Sequence, residues 1–207
     1  MKKMFLTAAL ALATVVSMSA QLSVNAGFGF FTETEKATIG STTTTETDPF
    51  NSFGIGVKYE IPVAGCFSVM PGAGLYYQFS KEEESLASHT ATSKNKAFGI
   101  DIPVLAKATF DVGPVRLFAV AGPYLDLCLM EKTVVSDNQG NESTYNYFED
   151  SEDWKRLGWG LQFGVGVDFL DNYRLMYNYQ LGLTNWCKQE NYSDKSSGSI
   201  ISVAYLF

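Results

Sequence analysis

The chain is poor in charge. Asp, Glu, Lys and Arg make up 18% of its 207 residues, where a soluble domain usually carries about 25%. It also has a single histidine, His89, and three scattered cysteines, too few ligands in too loose a spacing for a metal centre. Beyond the N-terminal segment there is no apolar run of roughly 18 residues, which excludes a transmembrane helix. A membrane-spanning form of this chain must therefore be a closed barrel, because an open sheet would leave backbone groups unpaired in hydrocarbon. Positive charge is scarce as well. The formal net charge of −7 repels phosphate backbones and argues against a nucleic-acid partner.

What the chain does have is aromatics and glycine, with 11 Tyr, 15 Phe and 18 Gly. Residues 1–20 read as a signal peptide, with Lys2 and Lys3 ahead of the short apolar run Met4–Val16 and small residues around Ser19 and Ala20. Losing the two lysines takes the formal charge from −7 to −9. Residues 21–207 are then one domain.

Its recurring pattern has a period of two. Leu22, Val24, Ala26, Phe28 and Phe30 alternate with Ser23, Asn25, Gly27 and Gly29. Trp159, Leu161, Phe163, Val165, Val167 and Phe169 alternate with Gly160, Gln162, Gly164, Gly166 and Asp168. Similar runs near 53–61, 67–79, 98–110, 115–127, 173–183 and 201–207 bring the count to about eight strands. Short turns are expected at Pro62–Cys66, Asp111–Pro114 and Leu170–Asn172, and long polar loops at Thr32–Ser52, Ser80–Ala97, Met130–Arg156 and Thr184–Gly198. That rhythm predicts an all-β, eight-stranded antiparallel up-and-down transmembrane β-barrel of the outer membrane, with loops extracellular and termini periplasmic.

A soluble calyx would share the alternation but turn it inside out. Aromatics at the strand ends (Phe67 and Phe79, Phe98 and Phe110, Trp159 and Phe169) favour the membrane version, as does a chain ending in Tyr205, Leu206 and Phe207. The other face carries glycine and mixed charge. Lys58, Glu60, Asp101, Lys107, Arg116, Asp126, Asp168 and Arg174 are expected to point into the lumen and pair there. Asp168 and Arg174, flanking one short turn, should be cross-strand neighbours. Pro71, Pro103 and Pro123 interrupt strand patterns, and bulges are the expected accommodation.

The stretch Ile100-Asp101-Ile102-Pro103-Val104-Leu105-Ala106-Lys107, followed by Ala121-Gly122-Pro123-Tyr124, resembles the PorT-like outer-membrane β-barrel domain family. The resemblance implies the barrel fold and outer-membrane lipid as the surrounding partner. The family is functionally mixed, so it implies no catalytic residues.

Chemistry is hard to find. His89 lies among Glu82–Glu84, Ser85 and Ser88 in a polar loop, where a solvated histidine is the expected reading rather than the base of a lipid-acting enzyme. No enzyme activity and no cofactor are expected. A Cys128–Cys187 disulfide is geometrically conceivable in an exported chain, with Cys66 at the opposite rim. Tyr145, Tyr147, Phe148, Trp154, Trp186 and Tyr192 are the candidate loop contacts for an extracellular ligand or partner protein. Against that stands a hairpin in which strands five and six continue past the membrane, turn near Asp137–Gly140 and pack these rings at its base. The expected function is a structural or surface-binding barrel with a filled lumen. Its alternative, a narrow channel, requires an aqueous path that Phe118, Tyr76, Tyr124, Leu105 and Met176 should obstruct.

Overall fold

A computed structural model describes the backbone of residues 21–86, 89–137, 141–149 and 153–207, and the side chains of these apart from 39, 84–86, 89 and 90. Residues 1–20, where a signal peptide is expected, and Ser88 lie outside the described residues.

Among the described residues nine antiparallel strands run β1 Gln21–Ile39, β2 Thr42–Ala64, β3 Phe67–Leu86, β4 His89–Val112, β5 Val115–Asp137, β6 Glu142–Asn146, β7 Leu157–Phe169, β8 Tyr173–Gly182 and β9 Tyr192–Leu206. Each barrel strand pairs with the next in sequence, β5 pairs directly with β7, and β9 returns to β1. Eight strands thus close a ring. The ninth, β6, pairs only with β5 among the described residues and stands outside it. Closure matters physically, because it satisfies every ladder without leaving an edge in the hydrocarbon.

The outward face is the apolar one. Along β8, Tyr173, Leu175, Tyr177, Tyr179 and Leu181 are exposed while Arg174, Met176, Asn178 and Gln180 between them are buried. Val165 on β7 is 58% exposed. So continuous an apolar exterior has no place in water. Aromatic rings border it at both ends. Phe169, Tyr173, Tyr205 and Phe207 form a chain of ring contacts near the short turns, and Phe28, Phe30, Tyr77 and Phe79 form another toward the far rim. Such paired girdles sit where lipid meets water.

Three tight turns connect strands at one rim. Gly65 and Gly113 take positive φ there, as do Leu170 and Asp171, with Asn172 N donating to Leu170 O at 2.7 Å. Both Gln21 and Phe207 lie on this short-turn end.

The far rim departs from expectation. Most of Thr32–Ser52, Ser80–Ala97 and the first part of Met130–Arg156 is strand, not loop: β1 with β2, β3 with β4 and β5 with β6 continue as hairpins well past the apolar band. Their Thr- and Glu-rich sequences alternate polar residues on both faces, so apolar periodicity falls silent while the ladder goes on. The hairpin closed by hydrogen bonds between Asp137 and Asn141 uses the separate strand β6, and the next barrel strand starts only at Leu157.

Pro71, Pro103 and Pro123 do not sit at bulges. Pro71 stays paired with Val104, Pro103 with Tyr124 and Pro123 with Leu161, in register with the rest of each ladder. What each lacks is pairing with the preceding strand, where the ladder skips two positions and resumes in the same register. An antiparallel residue aims its N–H at one neighbour only, so a proline loses one side and keeps the other. Register shifts occur instead at Pro62/Ala64 and at Phe98/Gly99.

Candidate functional site

The lumen is built in layers. Nearest the short turns, Lys107 Nζ donates to Glu60 Oε1 and Oε2 at 3.0 and 2.8 Å and to Asp168 Oδ2 at 3.2 Å. Arg174 answers from β8, with Nε to Asp168 Oδ1 at 2.6 Å, and Nη2 to Asp168 Oδ2 at 2.9 Å and Glu60 Oε2 at 2.8 Å. Two cations and two anions from β2, β4, β7 and β8 close a four-membered ring. Phe118 lies between the cations, 4.5 Å from Lys107 Nζ and 4.8 Å from the Arg174 guanidinium. A methyl at Gly166 would run into the Phe118 ring, so glycine there makes room for it. Removing one member of such a buried network costs about 3–5 kcal/mol, since the others keep their charge without a partner.

Above the ring sit Met70, Leu105, Val120 and Met176, which with Phe118 form the buried apolar cluster. Leu105 is fully buried. Lys58 donates to Asn25 Oδ1 at 3.3 Å, and both border a cavity of about 80 Å³ that also touches Asp101 and Tyr124. Tyr76 donates to Asp126 Oδ1 at 2.6 Å. Arg116 is the exception among the eight charges: it is exposed at the short-turn rim, opposite Asp111 and Asp168 on flanking strands. It lies one residue into β5, too near the turn to be enclosed.

Toward the hairpin end a second cavity of about 110 Å³ opens, with Tyr76, Gln78, Asp126 and Ser196 in its floor and in the wall of the first. Its walls are acidic. Cross-strand register sets Asp48 against Glu33, Glu46 against Glu35, and Glu35 against Asp194, so carboxylates meet carboxylates on one face. Glu131 arrives from β5 on the opposite side of the ring. A bulge at Leu129 turns it inward: Met130 pairs with Phe98 but Cys128 with Gly99, leaving Leu129 and Met130 both exposed. Burial, with the nearby Glu35 and Glu131 carboxylates, pushes Asp194 up to about 7. Burial and the Glu33 and Asp126 carboxylates push Glu131 up to about 8. Glu33 is raised well above the usual carboxylate range by burial and by Asp194.

Of the candidate loop aromatics, Tyr147, Trp154 and Trp186 line this chamber. Tyr147 packs edge-on against Trp154 at 4.9 Å and Tyr145 packs on Tyr147 at 5.2 Å. Trp186 lies against the β7 backbone, where a Cβ on Gly158 would sit 2.6 Å from its ring. Phe148 is held under Arg156 at 4.3 Å, and the Tyr192 hydroxyl donates to Glu35. Cys128 and Cys187 are buried and free, and Cys66 is exposed at the other rim. The backbone of His89 opens β4 opposite Leu86, and its imidazole lies outside the described residues.

A closed antiparallel ring with a greasy, ring-banded exterior and a packed polar interior defines an outer-membrane β-barrel. The chain belongs to the outer membrane protein beta-barrel domain family, which matches residues 15–187. No curated protein matches it. Among solved structures it is similar to neisserial surface protein A at 16% identity and TM-score 0.44, covering 92% of this chain and all of that one. It is also similar to OprG of Pseudomonas aeruginosa, at 10% identity and TM-score 0.45, over 91% of this chain and 96% of that one. Ail of Yersinia pestis shows 15% identity and TM-score 0.38, over 92% and 100%. These likenesses are too distant to bear on activity.

Proposed function

We propose that this protein is a non-conducting, non-enzymatic surface barrel that presents a binding chamber at its hairpin end. On this reading residues 1–20 are removed on export, the short turns and both ends of the described chain face the periplasm, and the hairpins face outward. We place it in the PorT-like group of the wider family. The two stretches that carry that resemblance are neighbours in space, with Pro103 on β4 opposite Tyr124 on β5.

The observation that carries the closed lumen is the Glu60–Lys107–Asp168–Arg174 ring with Phe118 laid between its cations. Charges satisfied by one another leave none for a passing ion, and the apolar cluster above them fills the remaining section. Planar-bilayer recording of the purified protein is expected to show no sustained single-channel steps. Regular steps that scale with voltage would overturn the closed reading. The absence of enzyme activity is tested at His89: His89→Ala leaves the lipid profile of the producing cells unchanged, and a lost lipid modification would reverse that conclusion.

A further inference from the structure

We propose that the hairpin-end chamber binds an organic cation through a primary ammonium group, held by the neighbouring carboxyls of Glu33 and Asp194. The inference rests on the surface-binding reading and names the ligand chemistry. Two observations carry it. First, the β2–β1–β9 register stacks acid on acid in consecutive rows, an arrangement that repels itself unless a positive charge or a proton intervenes. Second, Asp194 is 1% exposed and its Oδ1, in the chamber wall, receives no hydrogen bond among the described residues. A buried carboxylate oxygen without a donor is costly. With Glu33 protonated, its carboxyl supplies one. An ammonium group, with three N–H donors, supplies more.

The geometry also selects among cations. Among the described residues no three His, Cys, Asp or Glu side chains converge closely enough to hold a metal ion. The carboxyls are instead spread over facing walls, Glu33 and Asp194 on one side and Glu131 on the other. Between them stand Tyr147, Trp154 and Trp186. Dispersed carboxylates with aromatic faces suit a cation on an aliphatic stem, which stacks its methylenes and its charge on the rings. A compact, strongly hydrated metal ion gains little from such walls.

Competition between the ammonium group and protons for the same carboxyls ties affinity to pH. The titratable groups facing the Glu33–Asp194 pair are Glu35 on β1, Asp48 on β2, Tyr192 on β9, and Glu131 and Tyr147 from the β5–β6 side. Asp126 and Cys128 lie deeper, Glu82 borders from β3, and the cations on the rim are Lys96 and Lys155, the latter donating to Asn185 O at 2.7 Å. The acids outnumber those two cations, so deprotonation favours ligand entry.

The test uses the full barrel in detergent, titrated with spermidine by calorimetry and by tryptophan fluorescence. Trp154 and Trp186 line the chamber, while Trp159 faces lipid and serves as a silent reference. Spermidine is expected to bind, more tightly at about pH 8.5 than at about pH 6. Asp194→Asn with Glu33→Gln is expected to weaken it about tenfold or more. Glu131→Gln provides a second variant should the pair disturb folding, which heat-modifiable mobility reports. A lysine-rich peptide in a parallel titration distinguishes a peptide side chain from a free amine as the source of the ammonium. No binding of spermidine, equal binding of its fully acetylated neutral form, or full displacement by equimolar magnesium would overturn the proposal. A barrel that conducts would end the closed-lumen reading and leave the chamber standing. A chamber that ignores spermidine would do the reverse.

Discussion

Glu33 and Asp194 illustrate how a β-ladder can force a titration. Neither residue is unusual in sequence, yet the pairing of β1 with β9 sets Asp194 opposite Glu35 and beside Glu33. Their raised proton affinities make stability pH-dependent, with a definite sign. Between roughly pH 4, where free carboxylates ionise, and pH 7 to 8, where Asp194 and Glu131 do, the folded chain holds protons that the unfolded chain has shed. Stability is therefore greatest at the acid end of this window and falls as pH rises through it. The urea midpoint in detergent, measured across that range, is expected to decline, and Asp194→Asn with Glu33→Gln is expected to flatten the decline. A midpoint that rose with pH would contradict the assignment. Of the lumen charges, Asp168 and Arg174 are legible as neighbours because they flank one short turn. Their meeting with Glu60 and Lys107 is not, since it depends on four strands being curled into a ring. Glu131 is hidden for a different reason, because a one-residue bulge reverses the face to which it belongs.

The strands inside the apolar band can be read from residue alternation alone, and the tight turns between them from glycine, proline and asparagine. Beyond the band the signal vanishes. Residues such as Thr42–Thr47 are polar on both faces, so nothing in their hydropathy separates a solvated hairpin from a loop. The backbone continues as strand there because the ladder beneath sets the register and each further pair adds hydrogen bonds at little extra entropy. The hairpin near Asp137 is legible, but its return arm β6 is not legible as a strand separate from the next barrel strand, being five residues that pair with β5 alone among the described residues. The prolines teach the opposite lesson. They look like breaks in sequence, and each proves to be a one-sided gap in an unbroken register.

The molecule as a whole is an inverted globule, with its packed charges at the centre and its aliphatic and aromatic surface outside. This makes substitution depth-dependent. Val165 lies between Trp159 and Phe169 on the outward face of β7. Val165→Arg is expected to cost about 2–4 kcal/mol of folding stability in a bilayer, as arginine does at the midplane of such barrels. Thr45→Arg, in an exposed hairpin, is expected to cost almost nothing. Refolding into lipid vesicles with a denaturant titration checks both, and equal effects at the two sites would mean that β7 does not face lipid.

The seam between β1 and β9 has a kinetic consequence. It zips Ser23 to Leu206 and runs upward to Ala37 and Tyr192, joining the first described strand to the last. Until that zipper forms, two long raw borders stand open, each able to capture a foreign strand. Contacts so distant along the chain form slowly. The ring is therefore safe from stray pairing only with its final stitch.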